Sequence, residues 1–172
     1  MKKIAIVALL SAFAAAPAVA ADMYASVKLG QASYGYSGIS NNSQNSFGVL
    51  GGYTINPSFA VEAEYNSLGG FDSLPNTIKG TSIGINAVGT LPINSEFSMF
   101  GKLGITNSSL KETAPGASLT HKNTGVSIGL GATYNVNSTV GIQAGLDSIP
   151  VGDTASGKDR VQAFYVGGVF KF

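Results

Sequence analysis

Arg160-Val-Gln-Ala-Phe-Tyr-Val-Gly-Gly-Val-Phe-Lys-Phe172 sorts into two alternating sets. Phe164, Val166, Gly168, Phe170 and Phe172 form one, and Tyr165, Gly167, Val169 and Lys171 the other. Strict period-two alternation is the mark of a β-strand with two unlike faces. An apolar strand left bare at an edge invites aggregation. A barrel removes the edge, because its last strand pairs with its first. The segment is therefore predicted to close a barrel by pairing with the first strand of the fold.

The front of the chain has a different character. Lys2 and Lys3 precede an apolar run from Ile4 to Ala16, and Ala18-Val19-Ala20 offers a small-x-small cleavage site. This pattern predicts a secretory signal peptide over residues 1–20, leaving residues 21–172 as the barrel. Loss of the two lysines takes the formal charge from +1 to −1, so no basic excess points to a nucleic-acid partner. The absence of cysteine excludes disulfides and thiolate metal sites. Charged residues make up only 11% of the chain, well under the roughly 25% of soluble domains. Glycine, at 23 residues, is about twice as frequent as usual. No apolar run long enough for a membrane helix follows the signal. A low-charge, glycine-rich exported chain of this kind fits a membrane β-barrel.

Turn-forming residues divide the rest into eight alternating segments near 23–34, 45–55, 59–69, 78–91, 96–107, 122–135, 139–149 and 160–172. Short connections at Asn56-Pro57-Ser58, Pro92-Ile-Asn-Ser95 and Val136-Asn-Ser138 alternate with long ones at 35–44, 70–77, 108–121 and 150–159. Outer-membrane barrels show this asymmetry, with short periplasmic turns and long extracellular loops. Periodicity alone does not say which face is inside, and a soluble lipocalin-like barrel would bury the apolar set. The aromatics favour the membrane. Tyr53, Phe59, Phe97, Tyr134 and Phe172 fall at short-turn ends of the apolar face, and Phe47, Tyr65 and Phe164 towards the long-loop ends. Two aromatic rings flanking aliphatics describe interfacial girdles. The predicted fold is all-β, an eight-stranded antiparallel up-and-down transmembrane β-barrel of a Gram-negative-type outer membrane.

A family resemblance supports this. Gly52-Tyr-Thr-Ile-Asn-Pro-Ser-Phe-Ala-Val-Glu-Ala-Glu-Tyr-Asn-Ser-Leu-Gly69 resembles the second hairpin of the outer membrane protein A transmembrane domain. Lys28-Leu29-Gly30 is similar to that family's first strand, and Thr124-Gly-Val-Ser127, Tyr134 and the aromatic-basic-Phe ending match further stretches. The resemblance implies that Phe164, Phe170 and Phe172 serve as the assembly signal read by the barrel-insertion machinery. It places Lys28, Glu62 and Lys102 in a lumenal charge cluster, which Glu64 and Asp147 join on the same polar face. In the family such a cluster closes the lumen and exchanges partners as a gate. Val88, Thr133 and Gln143 stand where the family carries charges, so a second salt bridge is expected to be lost. A static polar core is the expected outcome, with Lys28 and Glu62 singled out as partners.

Glu62 and Glu64 share a face and could in principle do acid–base work, but no nucleophile or cleft accompanies them. His121 has Ser118 and Ser127 as its nearest serines, without the pattern of a lipid hydrolase. A solvated loop histidine is the plainer reading, and one histidine makes no metal site. No cofactor and no catalysis are expected. Inward glycines such as Gly48, Gly52, Gly129, Gly131 and Gly145 are expected to leave the lumen hydrated. The function expected is structural or surface-interacting, as a monomer embedded in outer-membrane lipid, with surface ligands meeting the four long loops. A narrow channel for water, ions or small solutes is the alternative, and a lipid-modifying enzyme a remote third.

Overall fold

The computed structural model describes residues 22–34, 43–73, 76–114, 117–151 and 160–172. The predicted signal peptide, and most of the expected loops at 35–44 and 150–159, lie outside the described residues. Eight strands make up the fold: β1 (Met23–Tyr34), β2 (Ser43–Asn56), β3 (Phe59–Ser73), β4 (Asn76–Pro92), β5 (Phe97–Ala114), β6 (Ala117–Asn135), β7 (Val140–Pro150) and β8 (Arg160–Lys171). Each pairs antiparallel with its sequence neighbours, and β8 returns to β1 to close the barrel. The closing register runs from Tyr24 opposite Lys171 to Tyr34 opposite Val161. The Phe172 amide adds a bond to the Met23 carbonyl at 3.0 Å.

The apolar set faces outward. Leu29, Ile83, Ile85, Leu103, Ile105, Val126, Ile128 and Leu130 are exposed, whereas Lys28, Glu64, Lys102 and Asp147 are buried. A soluble barrel would invert this arrangement, because outward aliphatics are stable only against lipid. Phe47, Tyr53, Phe59, Tyr65, Phe97, Tyr134 and Phe164 all point outward and are exposed; Phe170 and Phe172 share that face and are half-buried.

The short turns share one device. Asn56 Oδ1 accepts the Ser58 amide at 2.9 Å. Asn94 Oδ1 accepts the Glu96 and Phe97 amides at 2.9 and 2.7 Å. Asn137 Oδ1 accepts the Thr139 and Val140 amides at 2.9 and 2.7 Å. A short side-chain carbonyl two or three residues ahead satisfies amides that the ladder cannot reach, which is why asparagine recurs at these corners.

Two of the expected long loops are instead strand. β3 continues to Ser73 and β4 begins at Asn76, pairing Ser73 with Asn76. β5 runs to Ala114 and β6 starts at Ala117, pairing Ala114 with Ala117. Their Ser, Asn, Gly and Asp content reads as loop, yet a ladder needs only backbone partners. Beyond the bilayer no lipid demands an apolar face, so alternation fades while pairing persists. Along β3 the register shifts between Ser67 and Gly70, with Gly69 at φ 76°. That is a β-bulge at a backbone conformation suited to glycine.

β6 is paired with β7 only from Ile128 to Asn135, and β2 with β3 only from Phe47 down. The upper ends of β3, β4, β5 and β6 thus form an open four-stranded sheet above the closed barrel. Where β6 and β7 part, Arg160 spans the fork. It donates from Nη2 to the Val126 carbonyl at 3.1 Å and the Ser148 carbonyl at 2.9 Å. Its Nε donates to Ser148 Oγ at 2.8 Å.

Candidate functional site

Inward positions on β1, β3, β5 and β7 converge at mid-barrel because each is an alternate residue of its strand and the lumen is only a few side chains wide. Lys28, Glu64, Lys102 and Asp147 meet there, each at most 6% exposed. Lys28 Nζ binds Glu64 Oε1 in a short contact and Asp147 Oδ2 at 2.9 Å. Lys102 Nζ binds Glu64 Oε2 and Asp147 Oδ1, both at 3.1 Å. The four groups form a closed square of alternating sign with zero net charge. Asn66 Nδ2 donates a further bond to Glu64 at 2.7 Å. The Tyr165 ring lies under both ammoniums, with centroid distances of 4.3 Å to Lys28 and 5.3 Å to Lys102. Such mutual compensation of charge makes a buried quartet tolerable.

The hub is Glu64, not Glu62. Glu62 stands one inward position closer to the periplasm, where Tyr24 Oη donates to its Oε1 at 2.7 Å. No ion pair joins it to Lys28 among the described residues. Lys28 and Glu62 are both buried in the lumen, but sequence matching could not supply the cross-barrel stagger that decides which carboxylate each ammonium meets. Val88 and Gln143 are inward, as expected, and uncharged; Gln143 donates to Ser26 Oγ in the same layer.

On the extracellular side of the square lies a layer of hydrogen-bonded polar groups. Thr106 Oγ1 donates to Ser127 Oγ at 2.8 Å, and Ser127 Oγ to Asn86 Oδ1 at 3.2 Å. Beside and above them sits an apolar plug of Ala32, Leu68, Ile149, Val151, Val161 and Ala163, against which Leu110 packs. The alternation of polar-in and apolar-out makes no provision for this plug. Its signal was available in the sequence: Leu68, Ile149 and Val161 occupy inward parity, where an aliphatic departs from the polar rule.

The glycines do not leave the lumen hydrated. A Cβ at Gly131 would meet Phe100 Cζ at 2.5 Å, and one at Gly145 would meet the Tyr165 hydroxyl at 2.7 Å. Gly48 and Gly129 each lie 3.0 Å, by the same measure, from the Cε of a cluster lysine. The absent side chains are replaced by a neighbour's ring or lysine stem. Open volume is concentrated at the periplasmic end, in a cavity of about 330 Å³ lined by Tyr24, Glu62, Phe100 and Lys171 among others. Around the square, among the described residues, lie two voids of about 10 Å³ each, room for a single water molecule apiece.

Among the described residues no nucleophile and base are brought together beside the cluster. His121 is exposed, while Ser127 is buried six residues further along β6, about 20 Å away on an extended strand. The Ser118 side chain lies outside the described residues. Among the described residues no group of His, Asp and Glu could hold a metal ion.

Comparison with known proteins agrees with this architecture. The family model described as outer membrane protein beta-barrel domain matches residues 5–172. Among solved structures, Neisserial surface protein A superposes with a TM-score of 0.77 at 19% identity, covering 88% of this chain and 97% of that one. Ail, the attachment invasion locus protein of Yersinia pestis, gives 0.66 at 19% identity, covering 87% and 97%. The N-terminal β-barrel domain of Pseudomonas aeruginosa OprF gives 0.64 at 14% identity, covering 87% and 97%. These identities speak to the fold alone. Curated protein sequences yield no match. The chain belongs to the outer membrane protein beta-barrel domain family, and its place is the Gram-negative outer membrane.

Proposed function

We propose that the protein is a non-conducting, non-catalytic surface barrel, in which the closed part anchors the open extracellular sheet for contact with ligands outside the cell. The observation that carries this reading is the sealed lumen. The ion-pair square, the Tyr165 ring and the apolar plug stand in series, with voids no larger than one water between them. An ion crossing that path would have to break paired charges and then enter an apolar constriction, which excludes water as well as ions. The upper arms of β3–β6 supply the surface such a molecule presents. Ail has been crystallised with the heparin analogue sucrose octasulfate; a surface ligand for the arms of this chain is proposed on that likeness. Residues 1–20 are proposed to be cleaved on export, and Phe164, Phe170 and Phe172 to be read during insertion.

Planar-bilayer recording of refolded protein tests the reading. Membranes containing folded barrel should stay at baseline conductance across ±100 mV. Stable, reproducible channel openings would return the narrow-pore alternative to first place.

A further inference from the structure

The sealed lumen leaves one charge unanswered. Among the described residues five charged side chains are buried, Lys28 and Lys102 against Glu62, Glu64 and Asp147. The square consumes two of each sign, so Glu62 is the carboxylate in excess. It is 5% exposed. Tyr24 Oη donates to its Oε1 at 2.7 Å, while Oε2 is buried with no hydrogen-bond partner among the described residues. A buried carboxylate is costly until a cation or further donors meet it. Lys102 is already held by Glu64 and Asp147.

Glu62 borders the periplasmic cavity, whose volume of about 330 Å³ stands at the lower end of small-molecule pockets. Thr54, Thr90, Ser98 and Thr133 line that cavity too, with hydroxyls that accept as readily as they donate. Val88, Val169 and the rings of Tyr24 and Phe100 add apolar surface. The two rings keep to the wall. The Tyr24 ring fills the place of a Cβ at Gly52, and Phe100 Cζ stands 2.5 Å from that of Gly131. Each glycine lets a ring lie back against its strand, which keeps the space beside Glu62 open.

One uncompensated carboxylate, several hydroxyl acceptors and two aromatic rings suit a cation that carries N–H donors and a short apolar tail. An anion would meet repulsion from Glu62. A bare metal ion would find a single free carboxylate oxygen and leave the apolar wall unused. The mouth sets up no barrier of its own: Lys171 donates to Asn135 Oδ1 at 2.7 Å, and Asp22 offsets its charge.

We propose that the periplasmic cavity is a binding site for a small primary ammonium, whose N–H groups meet Glu62 Oε2 while its alkyl part lies against Tyr24 and Phe100. The ion-pair square separates this site from the extracellular arms, so it is independent of what the arms bind.

The test uses the full mature chain, isotope-labelled and refolded in phosphatidylcholine nanodiscs, with amide shifts followed by NMR. It is titrated separately with n-propylammonium chloride, with n-propanol as the neutral isostere, and with sodium chloride. Propylammonium should shift the Gly52 and Thr133 amides saturably and leave Ser127, beyond the square, unmoved. It should bind about tenfold or more tightly than propanol, as for one hydrogen bond to a charged group. Glu62→Gln should weaken it by the same factor, with gel mobility confirming that the variant is folded. The ammonium and the alcohol compared on wild type need no variant. Equal binding of the two, or a Glu62→Gln barrel that binds as wild type does, would overturn the proposal. So would sodium binding as tightly as propylammonium, or a cavity whose amides show no saturable shift and which therefore holds water only.

Discussion

Glu64→Gln should be among the most damaging single substitutions in the barrel, and a second deletion should repair it. Glu64 is the acceptor of both ammoniums and of Asn66 Nδ2. Neutralising it leaves Lys28 and Lys102 sharing only Asp147, one positive charge in excess in a site with almost no solvent. Breaking a buried pair from one side costs about 3–5 kcal/mol, a factor of roughly 150 to 5,000 in the folding equilibrium. Lys28→Met alone should cost a similar amount by leaving a negative excess, since methionine keeps much of the stem's volume. Combined, the two substitutions leave a neutral Lys102–Asp147 pair. The double variant should therefore be less destabilised than either single, with a coupling of at least about 3 kcal/mol, where additivity would predict a loss of about 6–10 kcal/mol. Urea titration of protein folded in phospholipid vesicles measures this. Gel mobility and far-UV circular dichroism report the transition, because the chain has no tryptophan. A Glu64→Gln loss below about 1 kcal/mol, or strictly additive losses, would refute the square as the organising contact of the lumen.

The remaining predictions address packing, glycine and assembly. Leu68→Ala should cost about 2–5 kcal/mol by the same titration, since Leu68 is 1% exposed within the plug. Gly131→Ala should lose about 1–3 kcal/mol by driving a methyl into the Ala144 carbonyl and the Phe100 ring, whereas Gly89→Ala, with nothing within 4 Å of its Cβ, should fall within about 1 kcal/mol of wild type. Phe172→Ala should lower the amount of folded protein in outer-membrane fractions while leaving refolding in detergent nearly unchanged; a parallel fall in both would locate its role in stability.

How much of this was legible in the sequence depended on whether one strand sufficed to show it. Inward and outward residues of β5 and β6 were readable because period-two alternation is a property of a single segment. Closure of β8 on β1 followed from the even number of strands and the apolar ending. The identity of the hub was not readable: Glu62 and Glu64 share a face, and the stagger between strands decides which of them reaches Lys102. The extracellular lengths of β3 to β6 were hidden because water, unlike lipid, leaves no periodic mark on a paired strand. The glycines misled for a related reason. A missing side chain at Gly131 or Gly145 is a statement about the neighbouring strand, whose Phe100 and Tyr165 occupy the space.

The fork held by Arg160 divides the molecule into a part paired on both sides and a part paired on one. Below it every strand has two partners, so opening one backbone hydrogen bond there means disturbing a ring that closes on itself. Above it, β6 from Ala117 to Ser127 has a ladder on one side only. Amides in such a segment open by local fraying, at free energies well below global unfolding. The guanidinium ties Val126, two residues short of the first β6–β7 pair, to Ser148. Fraying that starts in the arms therefore stops at a fixed rung. The exterior sheet is free to breathe, or to reshape around whatever it touches, without loosening the seal beneath it.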